Sequence, residues 1–279
     1  MHLSIRGVTK EFVARQGKLL ALEETSLEIK SGEFVCFVGP SGCGKTTLLN
    51  LVAGLEAPTR GEIWRNGEKK VTGPGSDRVV IFQEAALFPW LNVIQNIEFG
   101  LVGRMDAKRR RDIARTFLSL VHLGRFEKSY VHELSGGMKS RVALARALAL
   151  NPSVLLIDEP FAALDAQTRD ILHEELQDLW LKTRQTVVFV THNVREAVRL
   201  GDRVLVFTAR PGQIKKEFRI ELPRPREINS ASILSYIQQI QRELREEIEK
   251  VLQKEVDREW KLKKAEFLRP AGTDLGSGI

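Results

Sequence analysis

Eight consecutive residues, Gly39, Pro40, Ser41, Gly42, Cys43, Gly44, Lys45 and Thr46, have the types and spacing of a loop that wraps a phosphate chain. Glycine lets successive backbone N–H groups curl around phosphate oxygens where a Cβ would intrude, and a helix start adds the positive end of its dipole. Lys45 is placed to neutralise β- and γ-phosphates, and Thr46 to offer its hydroxyl to Mg2+. Thr47 adjoins them on the first turn of a helical spacing that continues through Leu48, Leu49 and Leu51. Cys43 reads either as a small loop residue or as a thiol whose pKa is lowered by the helix start. A second group follows the apolar run Val154-Leu155-Leu156-Ile157, which delivers Asp158 and Glu159 in succession before Pro160. Asp158 can hold a Mg2+ shell while Glu159, one residue on, faces an attacking water as general base.

These groups need a scaffold, and the apolar runs at 34–38, 154–157 and 187–190 supply it. Each is uncharged and ends at Gly, Asp or Thr/His, as expected for strands buried on both faces of a parallel sheet. Ligands gather at the C-terminal edge of such sheets. Residues 3–10, 22–29 and 62–65 alternate apolar and polar, which predicts antiparallel strands with one wet face. Between 92 and 150 the period becomes helical. Asp106 caps a helix carrying Ile113, Phe117, Leu118 and Leu120, and the basic run 108–111 reads as its solvated face. Beyond Leu222-Pro223-Arg224-Pro225-Arg226, an apolar stripe of Ile233, Ile237, Ile240, Leu244, Ile248 and Val251 predicts a helix that either lies on the main domain or serves as a regulatory or dimer-contacting element, with Glu246 and Lys250 paired four apart. The expected division is therefore 1–226 and a helical extension 227–279 whose tail, 271–279, frays.

With 279 residues, 43% hydrophobic and 28% charged, the chain is globular. Acidic and basic residues are interleaved, so the formal charge of +7 reads as a mixed surface and not as a nucleic-acid footprint. Cys36 and Cys43 make no zinc motif and suit a reducing cytosol. Without a signal peptide or an apolar run of about 18 residues, the chain is expected neither to cross a membrane nor to be exported.

Leu134-Ser135-Gly136-Gly137-Met138, followed by the Arg- and Ala-rich run 139–147, is where the chain resembles the ABC ATPases. Their signature usually reads LSGGQ, so Met138 departs from it, as does Ser140. Ser135, Gly136 and Gly137 form a second anion-binding helix start for which a single subunit supplies no phosphate, so it needs a partner's nucleotide. The resemblance implies that Phe12 stacks on adenine, that Gln83 is the Q-loop glutamine, that Ala163-Leu164-Asp165 is the D-loop and that His192 is the switch histidine. It further implies an α/β P-loop NTPase with a mainly parallel central sheet, an N-terminal antiparallel β subdomain, a helical insertion and a C-terminal helical extension.

The implied activity is ATP hydrolysis by Glu159, His192 and Gln83, with Mg2+ held by Thr46, Gln83 and Asp158. Implied partners are a second ATPase subunit, transmembrane permease subunits at the cytoplasmic face of the cell membrane, indirectly a solute-binding protein, and no nucleic acid. A narrower likeness, to nitrate, sulfonate and taurine importer ATPases, rests on Phe88-Pro89-Trp90-Leu91-Asn92-Val93, on Met138, on Ala209-Arg210-Pro211-Gly212 and on the 222–226 stretch. Asn193, where Asp is usual, departs from it. Phe88, Pro89 and Trp90 are then permease contacts or packing between subdomains. The rival is a non-transport ABC ATPase acting on DNA or ribosomes. Those generally carry a coiled-coil insertion or tandem ATPase domains, and this chain has neither.

Overall fold

The computed structural model describes residues 1–14, 17–161, 164–227 and 230–267, with only the backbone course given from 254 onward. Ala163 of the expected D-loop and the tail at 271–279 lie outside the described residues.

The chain opens with an antiparallel pair, β1 (Leu3–Ala14) and β2 (Gly17–Ile29), in which Leu3 faces Ile29 and Phe12 faces Leu19. The alternation expected for 3–10 is interrupted by register shifts between Ile5 and Val8 and again before Glu11, and the strand runs on to Ala14. Next come β3 (Phe34–Val38), α1 (Lys45–Ala53), β4 (Arg60–Arg65), β5 (Lys69–Lys70) and β6 (Arg78–Ile81). A helical segment follows, made of α2 (Val93–Glu98), α3 (Ala107–Leu120) and α4 (Gly136–Ala149). Asp106 caps α3 as expected, accepting from the Arg109 N–H at 2.9 Å. The remaining elements are β7 (Val154–Asp158), α5 (Ala166–Thr183), β8 (Thr186–Val190), α6 (Val194–Leu200), β9 (Arg203–Phe207), β10 (Ile214–Arg219) and α7 (Ala231–Phe267).

Two sheets result. One is antiparallel in the order β2-β1-β4-β5; the other runs β10-β9-β3-β8-β7-β6, parallel except for the edge strand β10. The apolar runs read from sequence are the three central strands, and period two explains why both faces are apolar. Phe34, Cys36 and Val38 pack with the helical segment and α6, while Val35 and Phe37 pack with α1 and the antiparallel sheet.

On α7, Ile233, Ile237, Ile240 and Leu244 are buried, each contributing about 2 kcal/mol of apolar transfer. The stripe does not stay buried along its length, since Ile248 is 45% exposed. Lys250 pairs with Glu247 at 2.6 Å and not with Glu246, which instead meets Lys215 of β10 at 2.6 Å. A tertiary partner has displaced the pairing expected within the helix. Among the described residues no helix is long and apolar enough to cross a membrane.

Candidate functional site

The C-terminal ends of the parallel strands converge on one edge, which follows from the topology. β3 runs into the glycine loop and α1, β7 ends at Asp158, β8 leads to His192, and Gln83 follows β6. Gly44, at φ +102°, begins α1 in a left-handed conformation, and a Cβ there would stand 2.8 Å from the Ala21 carbonyl. The loop can curl tightly only without that side chain. Lys45 is buried at the base of the curl, its Nζ donating to the carbonyls of Gly39 at 2.8 Å and Pro40 at 2.9 Å. The ammonium is therefore held by the loop's own carbonyls, close to where an anion on the loop's N–H groups would sit. Cys43 is buried, and burial pushes its thiol pKa up despite Lys45 nearby, so the lowered value open to it from sequence is not realised.

A cleft of about 310 Å3 opens beside the loop, and its walls include Phe12, residues 41–47, Gln83, Glu159 and Arg210. Phe12 brings an aromatic face from β1, with Lys10 Nζ 4.9 Å from its ring centroid. At the floor, the Thr46 hydroxyl donates to Asp158 Oδ1 at 3.2 Å. Burial pushes the Asp158 carboxyl above the ordinary carboxylate range, and the Glu159 charge adds to this; Thr46 and Lys45 offset it only in part. A hydroxyl and a carboxylate whose charge is disfavoured by burial form a pair that a hard cation would stabilise.

The same imbalance gives a stability prediction. A carboxyl with its folded pKa above its unfolded one leaves stability intact below the unfolded pKa and lowers it as pH rises through the folded value. Asp158→Asn keeps an acceptor for Thr46 and removes the charge. It should raise the melting temperature of the free chain at alkaline pH, with the gain vanishing in acid. A lower melting temperature than wild type at alkaline pH would contradict this.

Glu159 leaves the strand end at φ +46°, its N–H donating to the Val190 carbonyl at 3.0 Å. That turn sends its side chain away from Asp158's position, toward β8. Its Oε2 lies 3.0 Å from Nδ1 of His192, a hydrogen bond when that nitrogen carries the proton. The His192 side chain is 63% exposed and so remains reachable from outside.

Behind it is a group that sequence reasoning missed. The Thr191 hydroxyl donates to Glu196 Oε2 at 2.6 Å and accepts from the Asn193 N–H at 2.9 Å. Buried His173 lies 3.6 Å from Glu196. Burial alone would push the Glu196 carboxyl up, but the His173 ring and the Thr191 hydroxyl together hold it below the usual range. Thr191, Asn193 and Glu196 are neighbours in sequence around the start of α6, but no spacing announces His173, which α5 brings against them only in three dimensions. Arg210, which the sequence offers only within the Ala209-Arg210-Pro211-Gly212 likeness, also stands at the cleft.

The signature residues are elsewhere. Ser135 caps α4, its Oγ accepting from the Met138 N–H at 3.3 Å, and with Gly136 it is exposed. None of Ser135, Gly136, Gly137 and Met138 lines the cleft. Asp165 is also outside it, capping α5 by accepting from the Thr168 N–H at 2.9 Å. An apolar groove of about 330 Å3 lies between the end of β6 and α4, lined in part by Phe82, Phe88, Phe99, Ala143, Arg146 and Leu150. Phe88 packs there, 4.3 Å from Phe99 between ring centroids and 5.3 Å beneath Arg146, whereas Trp90 is 70% exposed.

Residues 22–162 match the family model described as ABC transporter. The chain is 49% identical over 253 residues to an uncharacterized ABC transporter ATP-binding protein of Methanocaldococcus jannaschii, covering 90% of this chain and 94% of that one. It is 50% identical over 224 residues to the nitrate import ATP-binding protein NrtD of Synechocystis, covering 80% of this chain and 84% of the relative. Among solved structures it superposes, with a TM-score of 0.72 and 34% identity, on a dimeric ATP-binding cassette in a post-hydrolysis state bound to ADP and Pi, covering 79% of this chain and all (100%) of that one. A glycine loop at the sheet edge, paired acids at the end of β7 and an outlying signature helix thus belong to a known kind of molecule: the chain is a member of the ABC transporter family, an ABC-type ATPase subunit.

Proposed function

We propose that two copies of this chain close face to face, each ATP lying between residues 39–46 of one and 135–138 of the other, and that closure and opening drive uptake of a solute through a separate permease. The observation that carries the reading is the split site. Phe12, the glycine loop, Gln83 and Glu159 share one cleft, and the second anion-binding helix start is outside it.

In the closed pair, Phe12 stacks on adenine and the 39–46 loop cradles the phosphates. Lys45 exchanges its bonds to Gly39 and Pro40 for phosphate oxygens. Thr46, Asp158 and Gln83 would hold Mg2+, which when bound neutralises charge on the β- and γ-phosphates. Glu159 takes a proton from the attacking water, and His192, held by Glu159 Oε2, is directed at the γ-phosphate. Ser135 and the N–H groups that open α4 stabilise the same phosphate from the partner's side, joined by Gly137, Met138 and Asp165. Loss of the bridging phosphate then removes what holds the two faces together.

The groove between β6 and α4, with the exposed Trp90 packed against Phe88 at its side, is the docking place for the permease at the cytoplasmic face of the membrane. Exposed Trp beside an apolar groove is the composition of an interface hot spot, which contributes about 2 kcal/mol or more. Trp90→Ala should therefore cut solute uptake by the reconstituted transporter about tenfold while leaving ATP affinity of the free chain unchanged. Unaltered uptake would place the permease elsewhere. The solute is nitrate, a sulfonate, taurine or a related small molecule, a reading supported by the relation to a nitrate import protein and by the 88–93, 209–212 and 222–226 stretches. Uptake assays with each solute discriminate among them.

A further inference from the structure

The loop between β9 and β10 ties the C-terminal helix to the phosphate loop. Its backbone is wedged against the nucleotide side of the molecule: the Gly212 N–H donates to the Ala21 carbonyl at 3.0 Å, and the Gly212 carbonyl accepts from the Glu23 N–H at 2.8 Å. A Cβ at Gly212 would lie 1.8 Å from the Cys43 carbonyl, so no other residue permits this approach. Beside it, Arg210 Nε donates to the Gly42 carbonyl at 3.0 Å, and the guanidinium stands on the rim of the cleft. Its terminal nitrogens make no hydrogen bond among the described residues, so the fork keeps donors for an anion.

The other end of the tie is on α7. The Ala209 N–H donates to Glu247 Oε2 at 2.9 Å, across 38 residues of sequence. Glu247 is 1% exposed, sits where the apolar stripe of α7 passes from Leu244 to Val251, and is neutralised by Lys215 at 3.2 Å and Lys250 at 2.6 Å. Its Oε1 takes the two lysines, and its Oε2 is left to hold the loop through the Ala209 N–H, a bond that an apolar residue of the same size would not make.

We propose that Glu247 is a positioning residue for nucleotide binding: through Ala209 it sets the 208–212 loop, and that loop presents Arg210 to the nucleotide phosphates beside Gly42. The C-terminal helix is thereby part of the nucleotide site's support, and displacement of its Glu247 turn lowers affinity. This rests on the reading of the cleft as the ATP site.

The test is calorimetric binding of ADP to the full chain, together with the melting midpoint of each variant. Arg210→Ala, at an exposed position, should leave the ligand-free midpoint unchanged and weaken ADP binding about fivefold. Glu247→Met fills the same space without an acceptor and should weaken binding by a similar factor. Glu247→Gln, which still accepts from the Ala209 N–H, should restore it. Because both act by one route, the Arg210→Ala, Glu247→Met double variant should lose little more than either alone. Wild-type affinity in Arg210→Ala or Glu247→Met, or fully additive losses, would overturn the proposal. A wild-type chain that binds no ADP would instead count against the ATP-site reading.

Discussion

Replacing Glu159 with Gln is expected to lower ATP turnover about a thousandfold while leaving ATP binding intact and holding the protein as a closed dimer. Three observations support the role given to this residue. Glu159 lines the cleft beside the glycine loop, its backbone is anchored to Val190, and its carboxylate is 3.0 Å from His192. Glutamine is nearly isosteric and can keep the contact to His192, so the site should still assemble. What is removed is the basic oxygen. Single-turnover measurement of phosphate release, with size-exclusion chromatography in ATP, reads both effects. Normal turnover in Glu159→Gln would take the general base away from this residue.

Gly136→Asp should have an effect of similar size for a different reason. Gly136 is the first residue of α4, exposed and outside the cleft of its own chain. An acidic side chain in a first turn is favourable to the helix itself, so the variant should fold at least as well as wild type. Toward a partner's γ-phosphate, however, the same carboxylate replaces an attractive helix start with a negative charge. Hydrolysis should fall about a thousandfold, while nucleotide affinity of the dilute, unpaired chain stays within about twofold of wild type. An equal loss of binding by the unpaired chain would mean that α4 serves its own nucleotide.

Much of this was legible in the chain because it was local. The glycine loop lies between a buried strand and a helix within about twenty residues, and the acid pair lies at the end of another uncharged run, so pattern and position agree. Capping of α3 by Asp106 was legible for the same reason. β10, by contrast, reads Ile-Lys-Lys-Glu-Phe-Arg, with only Phe218 buried and no clean period to announce an edge strand. The exposure of Ile248 was hidden because an apolar stripe shows which face of a helix is sticky, not how far the body beneath it extends. The Glu246 and Lys250 pairing failed because Lys215 arrives from another strand. Arg210 reaches Gly42, Glu247 reaches Ala209 and His173 reaches Glu196 only through tertiary contacts, which no spacing rule encodes.

Whether each pocket is built from two chains is tested most directly by mixing two variants. Lys45→Ala should damage the phosphate loop and Gly136→Asp the signature, so each alone should be nearly inactive. In a mixed pair, one pocket combines the intact loop of the Gly136→Asp chain with the intact signature of the Lys45→Ala chain. ATP hydrolysis measured on the mixture should therefore rise well above the sum of the separate chains; a rate equal to that sum would contradict the composite site.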